Sequence, residues 1–286
     1  MSHPFNTLQM LEQSVLLNPS DISSLESYTK ELFRHNTPIP YSIIQNYLYH
    51  KYGINYVPNI DFSLSLQDYN ITELRWLRGI QIPHLTHISF MKNLISDLDG
   101  LSGPNSPCLS SLTHLNLNDN KITSLDGLSN LNAPNLTDLH LTLNKITYLD
   151  GLSNFNAYKL QHLYLNGNKI TSLDGLSGFK APNLQELYFN GNKITSLNDL
   201  SDFNAPKLRI LSLSDNSITS LNGLSNFNAP NLRIIDIRQN NITSLTGLNK
   251  LQAPELEAIY LRRLPAYLLN DLYEQRPNIA RCIQFF

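Results

Sequence analysis

Four of the chain's eight histidines, His87, His114, His140 and His162, recur among carboxylates and tyrosines at a fixed interval. His114, Asp138, His162 and Glu186 follow one another in steps of 24 residues. His140, Tyr164 and Tyr188 form a second series, two residues further on. Imidazoles and carboxylates together can ligate a divalent metal, exchange protons near neutral pH or hydrogen-bond a partner. A full repeat between the imidazoles is a long span for one ion, and no supporting groups can be read behind them. No metal or cofactor is therefore expected, and a metal-dependent enzyme is the weakest alternative. Cysteine chemistry fares no better. Cys108 lies between Pro107 and Leu109, Cys282 lies in the apolar tail, and neither has a recognisable His partner in sequence. No phosphate-binding P-loop, HExxH or GxSxG pattern occurs. The reading is a protein without catalytic residues, and not an enzyme.

The 24-residue interval belongs to the whole chain. Leu112, Leu136, Leu160, Leu184, Leu208, Leu232 and Leu256 each open the same phrase, which reads LTHLNLNDNKITSLDGL from Leu112 to Leu128. It extends back to Leu85, with three extra residues within 103–111, and to a worn copy holding Leu64, Leu66, Ile71, Leu74 and Leu77. Nine copies are thus readable. They account for the composition, 52 Leu and 35 Asn in 286 residues. That much Asn is unsuited to ordinary helices, because its amide competes with the backbone. Charged residues make up 15%, and the net charge of −2 argues against a dedicated nucleic-acid binder. No apolar run approaches the roughly 20 residues of a membrane helix. The N-terminus lacks the pattern of a cleaved signal peptide. Two cysteines exclude a disulfide-stapled scaffold and favour a reducing compartment.

The phrase resembles the leucine-rich repeat, LxxLxLxxNxI, over about 70% of the chain. The copies are longer than the common 22-residue form because of an added Asn-Ala-Pro step, as at Asn132 to Pro134. The resemblance implies an α/β solenoid: a right-handed horseshoe with a parallel concave β-sheet and short helical or 3-10 convex segments, spanning residues 61–263. It also implies a structural Asn ladder, carried by Asn93, Asn120, Asn144, Asn168, Asn192, Asn216 and Asn240, whose buried amides bond turn backbone that has no strand partner. Gly100, Gly127, Gly151, Gly175, Gly223 and Gly247 mark a position of unusual dihedrals or close approach. Phe155, Phe179, Phe203 and Phe227 are expected to stack inside the convex wall. Coils bury their apolar side only against neighbours, so the ends need covers. Residues 1–60 read as a helical N-terminal cap. Residues 264–286 read as a C-terminal capping helix, opened by Pro265 and ended by Pro277, with a tail.

The copies can be compared with one another. Their framework positions barely vary, whereas the outward strand positions do, as expected of a recognition surface. Three patches emerge as partner-binding candidates. One holds His114, Asp138, His140, His162, Tyr164, Glu186 and Tyr188. The second is Ile210 with Ile234. The third holds Asp236, Arg238, Tyr260, Arg262 and Arg263. Tyr and Arg are the residues most often found at interface hot spots. The function read from this is binding of a protein partner by a chain that is monomeric on its own, with no nucleic acid and no membrane insertion. If the partner is an enzyme, occlusion of its active site is the simplest outcome. The near-identical, Asn-rich copies are also similar to leucine-rich-repeat effectors of intracellular bacteria such as Legionella. That resemblance implies cytoplasmic action, after secretion into a host cytosol without a cleaved signal, on a host protein or another effector. The alternative is an adaptor that recruits a ubiquitin ligase or phosphatase through its N-terminal helices.

Overall fold

The computed structural model describes residues 62–68, 70–77, 85–103 and 109–285. The helical reading of residues 1–60, and Cys108, lie outside the described residues.

Alternating Leu and polar residues favour short strands with one apolar face. Nine such strands arise from the repeats: β1 (Phe62–Ser65), β2 (Leu85–Ser89), β3 (His114–Asn116), β4 (Asp138–His140), β5 (His162–Tyr164), β6 (Glu186–Tyr188), β7 (Ile210–Ser212), β8 (Ile234–Asp236) and β9 (Ala258–Leu261). They pair in parallel and in chain order as one open sheet. The sequence interval becomes the sheet register, with Leu115 opposite Leu139, Leu163, Leu187 and Leu211 in turn. In β3 to β6 the central Leu is buried and its two neighbours face outward, half-buried.

Across the core from the sheet, each coil returns through a 3-10 turn, such as Asp126–Leu128, Asp150–Leu152 and Asp174–Leu176. The serine two residues before the turn helps to start it. Hydroxyls of Ser124, Ser172, Ser196 and Ser220 accept the backbone N–H two residues on, at 3.1–3.2 Å. The repeated glycine serves close approach rather than an unusual dihedral. A Cβ on Gly175 would lie 2.2 Å from the Leu149 carbonyl oxygen of the preceding coil. In the coil from Leu184, Asp199 occupies that position. Its carboxylate accepts the Leu173 N–H and the Ser172 hydroxyl, each at 3.2 Å. Burial, and the neighbouring Asp174 carboxyl to which it is hydrogen-bonded, hold Asp199 above the ordinary carboxylate range. The chain after each of these turns contributes to a file of buried rings, Phe155, Phe179, Phe203 and Phe227, with centroids 6.2–6.3 Å apart.

After β9 the chain forms helix α1 (Ala266–Gln275), helix α2 (Pro277–Arg281) and a tenth strand, β10 (Ile283–Phe285). Pro277 stops α1 and also opens α2, where its missing N–H costs nothing. Arg276 fixes the two helices to the last coil by donating to the carbonyls of Asn249 at 2.7 Å and Leu251 at 3.0 Å. The tenth strand departs from the nine-coil reading. Ile283 pairs in parallel with Ile259, and the Ile259 N–H donates to the Cys282 carbonyl at 2.8 Å. The tail thus supplies partners to a buried strand edge that would otherwise lack them.

Candidate functional site

The asparagine ladder stitches each coil to the one before it. The Asn168 amide nitrogen donates to the Leu141 carbonyl of the preceding coil at 2.9 Å and to the Leu165 carbonyl of its own coil at 3.0 Å. Its oxygen accepts the Ile146 N–H of the preceding coil at 3.1 Å. Asn93, Asn120, Asn144, Asn192, Asn216 and Asn240 repeat this pattern. All seven are at most 9% exposed. The ladder fixes the spacing and orientation of the strands, and so the positions of the outward side chains.

Those side chains form a connected array. Asp138 sits between two imidazoles, with Oδ2 3.1 Å from His114 Nε2 and Oδ1 2.6 Å from His162 Nδ1. The Thr137 hydroxyl donates to Asp138 Oδ2 at 2.6 Å. His114 stacks on His87, with centroids 4.1 Å apart. The next file outward stacks His140 on Tyr164 at 4.5 Å and Tyr164 on Tyr188 at 5.1 Å, and Tyr188 donates its hydroxyl to Glu186 at 3.0 Å. Each Asp138 oxygen is taken by a different imidazole. Among the described residues no three His, Cys, Asp or Glu side chains converge for a metal.

The electrostatics follow from this packing. Burial pushes the Asp138 carboxyl up, but hydrogen bonds from Thr137 and His162 and the charges of His114 and His162 outweigh it, leaving the carboxyl below its ordinary value. Burial pushes His140 down, and the attraction of Asp138 does not fully offset that. Burial and the Glu186 carboxylate push both Tyr164 and Tyr188 up, so they remain neutral hydroxyls. His140 has a consequence for stability. A histidine whose pKa is depressed by folding contributes stability that is present above its unfolded value, about 6.5, and is lost as the pH falls through its folded value. The melting temperature is therefore expected to fall below about pH 6.5, and His140→Asn to flatten that fall. Parallel profiles for the two proteins would contradict this assignment.

The other two patches lie toward the C-terminal end. Ile210 and Ile234 are register neighbours and half-buried. The buried Asp236 carboxylate accepts both Nε and Nη2 of Arg238, at 2.9 and 2.7 Å, and the guanidinium lies 5.6 Å from the Tyr260 ring centre. Ser214, Arg238, Gln239 and Arg262 line a cavity of about 580 Å³. Arg263 is exposed but falls one place beyond the outward file, on the rim of the sheet, and does not line that cavity.

Two residues outside the candidate set belong beside it. His87 stacks on His114, and its place in the same file was readable from the repeat frame. Leu143 occupies the rim file of Lys92, Asp119, Gly167, Gly191, Asp215 and Gln239, all of which have φ between 52° and 66°. At φ 58° and 57% exposed, Leu143 bears the steric cost of a left-handed backbone while burying little. The signal was an apolar residue in a file of Gly and polar residues. Leu143→Gly is expected to raise stability by about 1 kcal/mol, the left-handed penalty less the entropy of glycine. A melting temperature lowered by the change would contradict it.

Comparison with known proteins places these features. A family model described as leucine-rich repeats (two copies) matches residues 158–202 and 206–262, and one described as leucine-rich repeat matches 108–129 and 132–152. Together these segments make up about half of the chain. No curated protein matches it. Among solved structures, internalin C2 from Listeria monocytogenes is similar at 25% identity and a TM-score of 0.52, over 78% of this chain and 84% of that one. Toll in the Drosophila Toll–Spatzle complex gives 21% identity and a TM-score of 0.51, over 71% of this chain and 29% of that one, a likeness of fold. Among the described residues no helix is long and apolar enough to cross a membrane.

Proposed function

The chain belongs to the leucine-rich-repeat proteins, and from that premise we propose that it is a non-enzymatic module that holds a protein partner against the outward residues of its parallel sheet. The observation that carries this reading is a division of labour within the repeat. The ladder Asn, the core Leu and the turn Gly recur with little change, while the outward positions differ from coil to coil and join into one array of rings and charges. An array held by a rigid scaffold covers a partner with little loss of conformational freedom on binding. One structural neighbour of the same fold, Toll, was solved in complex with Spatzle.

The finer reading is that the partner's own activity is blocked or regulated by being covered, as in an effector acting on a host protein or on another effector. The low cysteine content, two in the chain, supports an intracellular setting. The test locates the contact. A partner captured on this chain and purified is bound back, and amide hydrogen exchange is compared with and without it. Slowed exchange is expected along β4 to β9 and the turns that follow these strands. Slowed exchange confined to the 3-10 turns of the opposite wall would overturn the reading.

A further inference from the structure

The outward face is segregated by charge along its length. On the four outward positions of each strand from β3 to β6, Asp138 and Glu186 are the formal charges when the imidazoles are neutral. No Lys or Arg occurs there: the positions just before the strand triplets are Thr113, Thr137, Gln161 and Gln185, and those two places beyond are Asn118, Thr142, Asn166 and Asn190. From β7 to β9 the same positions carry Arg209, Arg233, Arg238 and Arg262 against Asp236 and Glu257. Asp236 holds Arg238 at 2.7 Å and Glu257 holds Arg233 at 3.3 Å. Arg209 and Arg262 are exposed and have no ion-pair partner among the described residues. Ile210 and Ile234 lie in the first two strands of the basic stretch, on the side toward β6.

We propose that the partner segment is ordered in the opposite sense: basic against β4 to β6, apolar against Ile210 and Ile234, and acidic against Arg238 and Arg262. This rests on the reading that the outward sheet face holds the partner, and it adds the chemistry and orientation of what is held. At the acidic end the ring stack stops at Tyr188, whose register neighbour is Ser212, so one face of Tyr188 has no aromatic neighbour among the described residues. Glu186 and Asp138 lie beside that stack. A tyrosine face beside the Glu186 carboxylate suits a guanidinium or ammonium group. At the basic end, Arg262 and Arg238 bracket the cavity with Ser214, an arrangement suited to a carboxylate. Three strand spacings and two residues along the strand separate Tyr188 from Arg262, about 16 Å in all. An extended peptide covers that distance in about five residues.

Isothermal titration of the full chain with two synthetic peptides tests the order. The first has two arginines, four residues containing two isoleucines, and two glutamates. The second has the same composition with Arg and Glu alternating, so that neither charge can be separated from the other. The ordered peptide is expected to bind at least about tenfold more tightly (about 1.4 kcal/mol). Glu186→Gln and Arg262→Gln should each bring the two peptides to within about threefold. Equal binding of the two peptides, or no measurable binding of either, overturns the charge order. The sheet-face reading is then judged separately by the exchange footprint of the captured partner, which does not depend on charge order.

Discussion

Asn168→Ala is expected to lower the unfolding free energy by about 3 kcal/mol. The substitution removes one amide, leaves the buried Ile146 N–H without its partner, and takes one of two amide donors from the carbonyls of Leu141 and Leu165, which keep Asn144 and Asn192. The unpaired N–H costs about 1–3 kcal/mol, and losing one of two donors at each carbonyl adds roughly 0.5 kcal/mol apiece. In a described scaffold of this size the loss corresponds to a fall of about 10 °C in melting temperature. Because contacts in a solenoid run between neighbouring coils, the damage should be local. Amide exchange should quicken first at the junction between the coils bearing Asn144 and Asn168. Asn154→Ala supplies the contrast, since Asn154 is exposed and carries no side-chain bond of this kind. It should change stability by less than about 0.5 kcal/mol. Equal effects from the two substitutions would mean that the ladder does not bind the coils together.

The register of the sheet was legible because one interval governs both sequence and structure. Leu115, Leu139, Leu163, Leu187 and Leu211 sit opposite one another because they are 24 residues apart. Which residues share the outward face follows from the same interval, together with the two-residue period of a strand. Strand β10 was not legible. Ile283, Gln284 and Phe285 are too few to show a period, and their pairing with β9 meets the hydrogen-bonding need of a distant edge rather than any local preference. Asp199 was visible as a gap in the glycine file, but not its bonds to Leu173 and Ser172, which require the preceding coil to be in place. Distances inside the array had the same limit. The sequence put His114, Asp138 and His162 on successive rungs. That one carboxylate lies between both imidazoles depends on side-chain rotamers that spacing does not specify.

Replacing Tyr164, Tyr188, Tyr260 and Arg262 together by Ala is expected to weaken partner binding by about 1,000-fold, or about 4 kcal/mol. Truncating a single central Tyr or Arg at an interface commonly costs about 2 kcal/mol, and four such losses are less than additive. The fold should survive, because all four side chains are half-buried or exposed and none belongs to the apolar core. Losing the stack of Tyr164 on Tyr188 costs about 1 kcal/mol of stability. A matched control removes Lys121, Lys145, Lys169 and Lys193, an exposed stripe that follows the ladder asparagines rather than the outward files. The deciding measurement is the dissociation constant of one purified partner for the wild-type chain, the sheet-face variant and the lysine variant, each first shown to unfold cooperatively. The expected result is a loss of about three orders of magnitude for the sheet-face variant and less than about threefold for the lysine variant. An unchanged dissociation constant in a folded sheet-face variant would contradict the assignment of the sheet as the binding face.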